Sequence, residues 1–339
     1  MAQRIAPVFL LSALLAGCGG NPFAPKPDPG ETPENPVPEL PGTGTPTATS
    51  SIARYEARNE ENGNGYAESI TYDSGADTFS VDNLAFDGDN IYRRGTQVAS
   101  LGPYRVYESL PVVNDPITNQ PIAQLPHRLL AGFSSNGRTE FAIVRTGAYT
   151  GYGFGGFVMK REGGVNLPTG GQAGYSGDYA AVQDFRGAGG LRYVTGNVRI
   201  AFDFDDFNDG NANYGFIEDR RVRDAAGNDI TAQAIAAMNA EFNPDNVAGG
   251  NVTELPVLSF YIGPGTVDAN GEIRGILDSN VMDFGGSQPT SVVFESGNYY
   301  GIIAGDNADE IVGIIVVESD TPGVDGIKTR ETGGFIVYR

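Results

Sequence analysis

The sequence predicts an all-β protein carrying one short helix. Three observations lead there. The chain holds 48 glycines, 16 tyrosines and 18 phenylalanines but no tryptophan. Short apolar or alternating runs are separated by glycine, asparagine and aspartate turns, the pattern of many strands joined by tight connections. A strand-like run, Gly334-Phe335-Ile336-Val337-Tyr338, stands at the end of the sequence. Such a strand needs a neighbour for its backbone groups, and closing a barrel supplies one.

The runs follow in order. Thr78–Val81 and Asn90–Tyr92 read as strands around the turn Asp87-Gly88-Asp89-Asn90. Tyr104–Tyr107 alternates. Leu129–Phe133 and Phe141–Val144 flank Ser135-Asn136-Gly137, and Asn-Gly between apolar runs signals a hairpin. The proline- and asparagine-rich stretch from Pro111 to Pro126 reads as a long loop, and Gly153–Met159 resumes as strand. A break at Leu167-Pro168-Thr169-Gly170-Gly171 marks a boundary between two β regions. Beyond it, Val198, Ile200, Phe202 and Phe204 share one face of a strand while Asn197, Arg199 and Asp203 face water. Val257–Ile262, Ser291–Phe294 and Ile311–Val317 are further strand candidates. Asp229 is placed to cap a helix over Ile230–Asn239, with Ile230, Ala234, Ile235 and Met238 as its apolar stripe.

Ahead of these strands lies a leader. Arg4 precedes an apolar run from Ile5 to Ala16, too short to span a bilayer and of signal-peptide proportions. It closes on Leu15-Ala16-Gly17-Cys18, which resembles the lipobox of bacterial lipoproteins. That resemblance implies cleavage before Cys18 and acylation, palmitate included, of the chain's single cysteine. Gly19 follows it, where an aspartate would suggest inner-membrane retention, so the resemblance favours an outer-membrane anchor, with cell-surface exposure expected. Two or more acyl chains anchor stably where one does not. With that thiol committed to lipid, no disulfide is open to the chain. Residues 19–50 hold nine prolines and few large apolar side chains, the composition of a disordered tether. The organisation expected is a lipoprotein signal peptide at 1–17, lipidated cysteine and tether at 18–50, a β-rich region at 51–166 and a second at 167–339.

The formal net charge is −20, with three lysines: Lys26, Lys160 and Lys328. Phosphate recognition needs a basic face, so nucleic acid is excluded as a partner. Anionic headgroups repel such a chain as well, which leaves membrane attachment to the lipid. The acids form no long single-sign block and read as a solubilising surface.

Several later segments, taken in order, resemble a known family. They are Tyr149-Thr150-Gly151-Tyr152-Gly153-Phe154-Gly155-Gly156-Phe157, Leu167-Pro168-Thr169-Gly170 and Ala173-Gly174-Tyr175-Ser176-Gly177-Asp178-Tyr179. Near the end stand Tyr299-Tyr300-Gly301, Ala308-Asp309-Glu310-Ile311-Val312-Gly313 and Glu331-Thr332-Gly333-Gly334-Phe335. Together they resemble the transferrin-binding protein B family and its single-lobe, transferrin-binding-protein-like solute-binding relatives. The resemblance covers residues 145–339 well and 51–144 loosely. It implies a C-terminal eight-stranded antiparallel β-barrel preceded by a smaller, handle-like β region. The family's full receptor has two such lobes and this chain has room for one, so iron piracy from a host does not follow.

Candidate chemistry is sparse. Gly151-Tyr152-Gly153-Phe154-Gly155-Gly156 mimics a dinucleotide loop, but strand rather than helix follows it. Asp203, Asp205, Asp206, Asp209 and Asn211 cluster around Gly210. Phe207 takes one ligand slot of a calcium loop and Phe216 stands where its glutamate belongs, which favours a solvated turn over a loose calcium site. His127 is the single histidine, follows Pro126, and reads as a surface or packing residue. Abundant tyrosine keeps haem ligation as an alternative, although strand aromatics are more often core. Asp309-Glu310 and Glu218-Asp219 are adjacent acids, which on a strand point to opposite faces. No catalytic residue, cofactor site or metal site is assigned. The expectation is a non-enzymatic lipoprotein that binds a protein or small ligand. The alternatives are a structural envelope lipoprotein partnering an outer-membrane protein, and a haem- or metal-acquisition protein.

Overall fold

Alternation decides which way each strand faces. The described residues of the computed structural model are 37–67, 69–147, 153–205, 214–263 and 265–339. The amino-terminal part contains β1 (Ile52–Tyr55), β2 (Ser69–Asp73), β3 (Thr78–Asp82), β4 (Ile91–Arg94), β5 (Ser100–Leu101) and β6 (Tyr104–Glu108). It continues with β7 (Val112–Asn114), β8 (Pro121–Ala123), β9 (His127–Phe133), β10 (Thr139–Thr146) and β11 (Gly155–Arg161). Nine of these form one curled antiparallel sheet in the order β1-β11-β10-β9-β6-β4-β3-β2, with β5 attached to β6. The β9–β10 hairpin turns at Gly137, whose φ of +73° suits a residue without Cβ.

The second part is a closed antiparallel barrel of eight strands. These are β12 (Gln172–Arg186), β13 (Leu191–Asp203), β14 (Tyr214–Asp224), β15 (Leu258–Phe260), β16 (Glu272–Asp283), β17 (Thr290–Ala304), β18 (Glu310–Asp320) and β19 (Lys328–Tyr338). Helix α1 (Thr231–Phe242) lies between β14 and β15 in sequence. Strand β19 pairs with β18 on one side and β12 on the other, which closes the cylinder.

Three apolar clusters organise the packing. The barrel lumen holds Val198, Ile200 and Phe202 of β13 and Phe204 just beyond it, the face that alternation selects. A second cluster joins the outer barrel wall to the amino-terminal sheet: Ala180, Val182, Tyr193, Ile302, Val312, Ile314 and Ile336 meet Tyr104, Val106, Leu130, Phe141, Ile143 and Phe157. The third, around Phe79, Tyr92, Tyr107 and Leu129, fills the curl of the amino-terminal sheet. Strand β18 reads as an unbroken apolar run because both its faces are covered. Ile311, Ile315 and Val317 point into the lumen, while Val312 and Ile314 point at the neighbouring sheet.

Several expectations change in detail. The loop expected from Pro111 to Pro126 contains the β7–β8 hairpin. Helix α1 starts at Thr231, one residue late, and Asp229 Oδ1 still accepts the Thr231 N–H at 2.9 Å. The segment expected to be disordered through residue 50 is docked from Val37 onward, with Val37 and Leu40 buried in the joint. Backbone carbonyls of Leu40 and Thr43 accept from Arg54 there, and those of Thr47 and Ser50 accept from Arg161.

Candidate functional site

The joint between sheet and barrel is built from buried arginines. Arg145 on β10 holds Glu56 through bonds of 2.6 and 2.8 Å and reaches Thr332 Oγ1 of β19 at 3.0 Å. Arg330 on β19 holds Asp184 of β12 at 2.6 and 3.0 Å, and also donates to Asn62 O and Asn64 Oδ1. Glu310 accepts from Thr139 Oγ1 at 2.7 Å and Asn136 Nδ2 at 2.6 Å. Such pairs contribute little net stability, because desolvation offsets attraction, but they penalise any arrangement that leaves one partner alone. They fix how the sheet sits on the barrel.

The lumen also carries charge. Arg220 of β14 grips Glu295 of β17 through two bonds of 2.7 Å and Glu331 of β19 at 3.0 Å. Tyr179 donates to Glu331 at 2.6 Å, Gln183 to Glu331 at 2.8 Å, and Ser279 to Glu295 at 2.6 Å. Five strands are thereby cross-linked through one guanidinium and two carboxylates. Burial raises the Tyr179 phenol well above its ordinary range, so it stays a donor. Among the apolar lumen residues, a cavity beside Ile200, Phe260, Tyr299 and Phe335 measures about 10 Å³. That is at most the size of one water, so this stretch of lumen is packed core and not a ligand tube.

The exposed counterpart is the β7–β8 ribbon. It forms its own two-stranded sheet and, among the described residues, pairs with no other strand. Both its faces carry aliphatics: Val112 is 48% exposed, Ile122 40%, and Ile117 at the turn 92%, with Phe86 nearby at 60%. Asp115 orders the turn by accepting the N–H groups of Ile117 and Thr118 at 2.9 and 2.6 Å. Leu125 N–H donates to Phe86 O at 2.8 Å, which places Phe86 against the ribbon's base. A hairpin standing alone is marginal in water, and the aliphatics left uncovered on this one make it the candidate contact surface.

The residues singled out by sequence are scattered. Cys18, Gly151, Tyr152, Asp206, Phe207, Asp209, Gly210 and Asn211 lie outside the described residues. Asp203 accepts from Gln172 Nε2 at 2.8 Å and Asp205 from Gly171 N at 2.9 Å, which is turn capping. His127 packs: it is fully buried at the start of β9, with Nδ1 3.1 Å from Leu125 O and its ring edge-on to Tyr92. Burial pushes its imidazole down to about 4. Asp309 and Glu310 do separate, Asp309 to Arg138 at 3.1 Å and Glu310 into the joint. Glu218 pairs with Arg199, and Asp219, at φ +53°, accepts from Asn197. The buried tyrosines hold their protons; Tyr175, pushed up to about 12 by burial, donates to Ala308 O at 2.7 Å. Among the described residues no group of three or more metal-ligating acids, histidines or cysteines gathers.

Sequence pattern alone does not reveal the lumen network. Its one signal is Arg220 two residues from Val222, an inward position in a strand whose phase is reset by the bulge at Asp219 and Arg220, opposite Gly196. The ribbon does not show in the sequence because prolines at both ends mask two three-residue strands.

No protein-family model matches the sequence, and no curated protein matches it. Solved structures are similar in fold. A double mutant of transferrin binding protein B from Haemophilus parasuis matches with a TM-score of 0.38 and 11% identity, over 86% of this chain and 45% of that one. Intact Ap-TbpB, with N and C lobes, gives 0.36 and 14%, over 84% and 46%. Isotype 1 transferrin binding protein B from serogroup B Neisseria meningitidis gives 0.35 and 13%, over 86% and 43%. The chain thus spans about half the length of these proteins. With TM-scores below 0.5, the functional reading rests on the geometry of this chain.

Proposed function

We propose that this chain is a non-enzymatic binding module, held at the outer membrane by an acylated Cys18, which captures a protein partner through the β7–β8 ribbon. The observation that carries this reading is the uncovered aliphatic ribbon, with Ile117 92% exposed on a turn ordered by Asp115. The cross-linked joint and barrel supply a rigid mount, and recognition needs no covalent step. A flat contact of this kind suits a protein better than a small solute, because it has no walls.

A photo-reactive residue placed at position 117 in living cells tests the proposal. The expected result is one discrete cross-linked adduct that disappears in a Val112→Asp/Ile122→Asp variant. Transferrin is included among the ligands supplied to the cells. An adduct formed without any external ligand would assign the ribbon to a resident envelope partner instead. Absence of any adduct from position 117, with and without habitat fluid, would overturn the reading. Attachment is tested separately: Cys18→Ser is expected to lose fatty-acid labelling and to leave the membrane fraction.

A further inference from the structure

A second site, unrelated to the ribbon, lies where the barrel wall is thinnest. Strand β15 joins β14 through three residue pairs and β16 through two. Helix α1 covers this region: it contacts both β14 and β16, and is tied down by Val222 N–H to Thr231 Oγ1 at 3.0 Å and Phe284 N–H to Phe242 O at 2.6 Å. Behind the helix is a cavity of about 150 Å³. Its apolar wall includes Val222, Ala234, Met238, Leu255 and Phe294. An engineered apolar cavity of about 150 Å³ accepts benzene, so a single ring fits this volume.

Two arginines line the same cavity, and they differ. Arg220 is saturated at both terminal nitrogens by Glu295, Glu331 and Pro256 O, while its buried Nε–H finds no acceptor among the described residues. Arg192 of β13 stacks over Phe185, its Cζ 4.9 Å from the ring centroid, and its guanidinium makes no ion pair or hydrogen bond among the described residues. Burial alone acts on its guanidinium, pushing it down from the ordinary arginine range. In a chain with 42 acids against 22 lysines and arginines, a half-buried arginine without an acid is anomalous. A planar guanidinium held by stacking presents its edge to a carboxylate.

We propose that this cavity binds a small monocarboxylate with an apolar body, its carboxylate paired with Arg192 and its body against Met238, Ala234 and Phe294. Dicarboxylates and phosphates fit poorly, since Glu295 and Glu331 already outnumber Arg220 and a second negative charge would meet them.

The test uses benzoate as the probe and ¹³C-methyl methionine as the reporter. The chain has four methionines: Met1 in the leader, Met238 on the cavity wall, Met159 in the joint core and Met282 on the outside of the barrel. Benzoate is expected to shift the Met238 methyl saturably and to leave Met159 and Met282 unmoved. Benzamide, the neutral isostere, should bind at least about tenfold more weakly. Arg192→Gln should cost benzoate a similar factor, and Ala234→Phe should abolish the shift. Arg192→Lys, which keeps the charge and loses the fork, is the second variant and is expected to fall between. Benzoate that leaves Met238 unmoved, benzamide that matches benzoate, or unchanged affinity in folded Arg192→Gln would each overturn the proposal.

Discussion

The hydroxyl of Tyr104 accepts a hydrogen bond from Ile336 N–H at 2.9 Å and donates one to Asp178 O at 2.7 Å. These two backbone groups sit on β19 and β12, where the closing ladder of the barrel is interrupted between Ser176↔Tyr338 and Tyr179↔Phe335. A side chain of the amino-terminal sheet therefore completes the seam of the barrel. Burial holds the phenol protonated. Tyr104→Phe keeps the ring and its edge contact with Phe141 but leaves one N–H and one C=O without partners. The expected cost is about 1–3 kcal/mol. Urea unfolding should show it, and amide exchange at Ile336 should accelerate beyond that of β16.

Gly333 and Gly334 make room for two aromatic rings on opposite sides of β19. A Cβ on Gly333 would stand 2.1 Å from Tyr179 Oη in the lumen, and one on Gly334 would stand 2.4 Å from the Phe141 ring in the joint. Each alanine substitution is expected to destabilise by about 1–3 kcal/mol through overpacking. Phe141→Leu should relieve Gly334→Ala and leave Gly333→Ala unrelieved, a cross-pattern that thermal unfolding of the double variants checks.

The alternation of Val198 to Phe204, the Asn-Gly turn and the apolar run of β18 made the all-β class legible from residues alone. Strand β14 was not legible, because Arg220 faces inward among Glu218, Asp219, Arg221 and Arg223 and looks like a solvated stretch. Its burial depends on Glu295 and Glu331, which are 75 and 111 residues away in sequence. The docking of Val37 and Leu40 was hidden for a similar reason: proline composition reports local stiffness, while their burial is decided by a surface formed far along the chain. The ribbon and the cavity behind α1 share this property. Each is defined by what fails to cover it or fills it, and periodicity carries no such information.

His127 gives the fold a pH dependence with a definite sign. The Leu125 carbonyl can only accept, so Nδ1 carries the proton and Nε2, buried without a partner among the described residues, is the vacant base. Protonation would put a charge against that burial and beside Arg128. The folded value of about 4 lies below the ordinary 6.5, so the unfolded chain binds the extra proton first. Stability is full above pH 6.5, falls as pH drops toward 4, and levels off below that, with a total loss of about 3 kcal/mol. His127→Phe should remove this component, so the difference between wild-type and variant urea curves should grow between pH 6.5 and 4. A difference independent of pH would show that the imidazole is reached by water in the folded state.

The Arg145–Glu56 pair predicts how the joint responds to partial and complete removal. Both side chains are buried, at 0% and 5% exposure, and Arg145 also supports Thr332. Arg145→Met leaves the Glu56 carboxylate in the joint without its counter-ion, held only by the Gly65 N–H at 3.3 Å, at an expected cost of about 3–5 kcal/mol. Glu56→Gln strands the guanidinium less severely, because Thr332 Oγ1 and the amide oxygen remain as acceptors. Arg145→Met combined with Glu56→Leu leaves no uncompensated charge and should recover most of the loss. Chemical unfolding of the three variants checks this ordering. If the double variant is as unstable as Arg145→Met alone, the pair holds the sheet on the barrel by its geometry, and apolar contact cannot replace it.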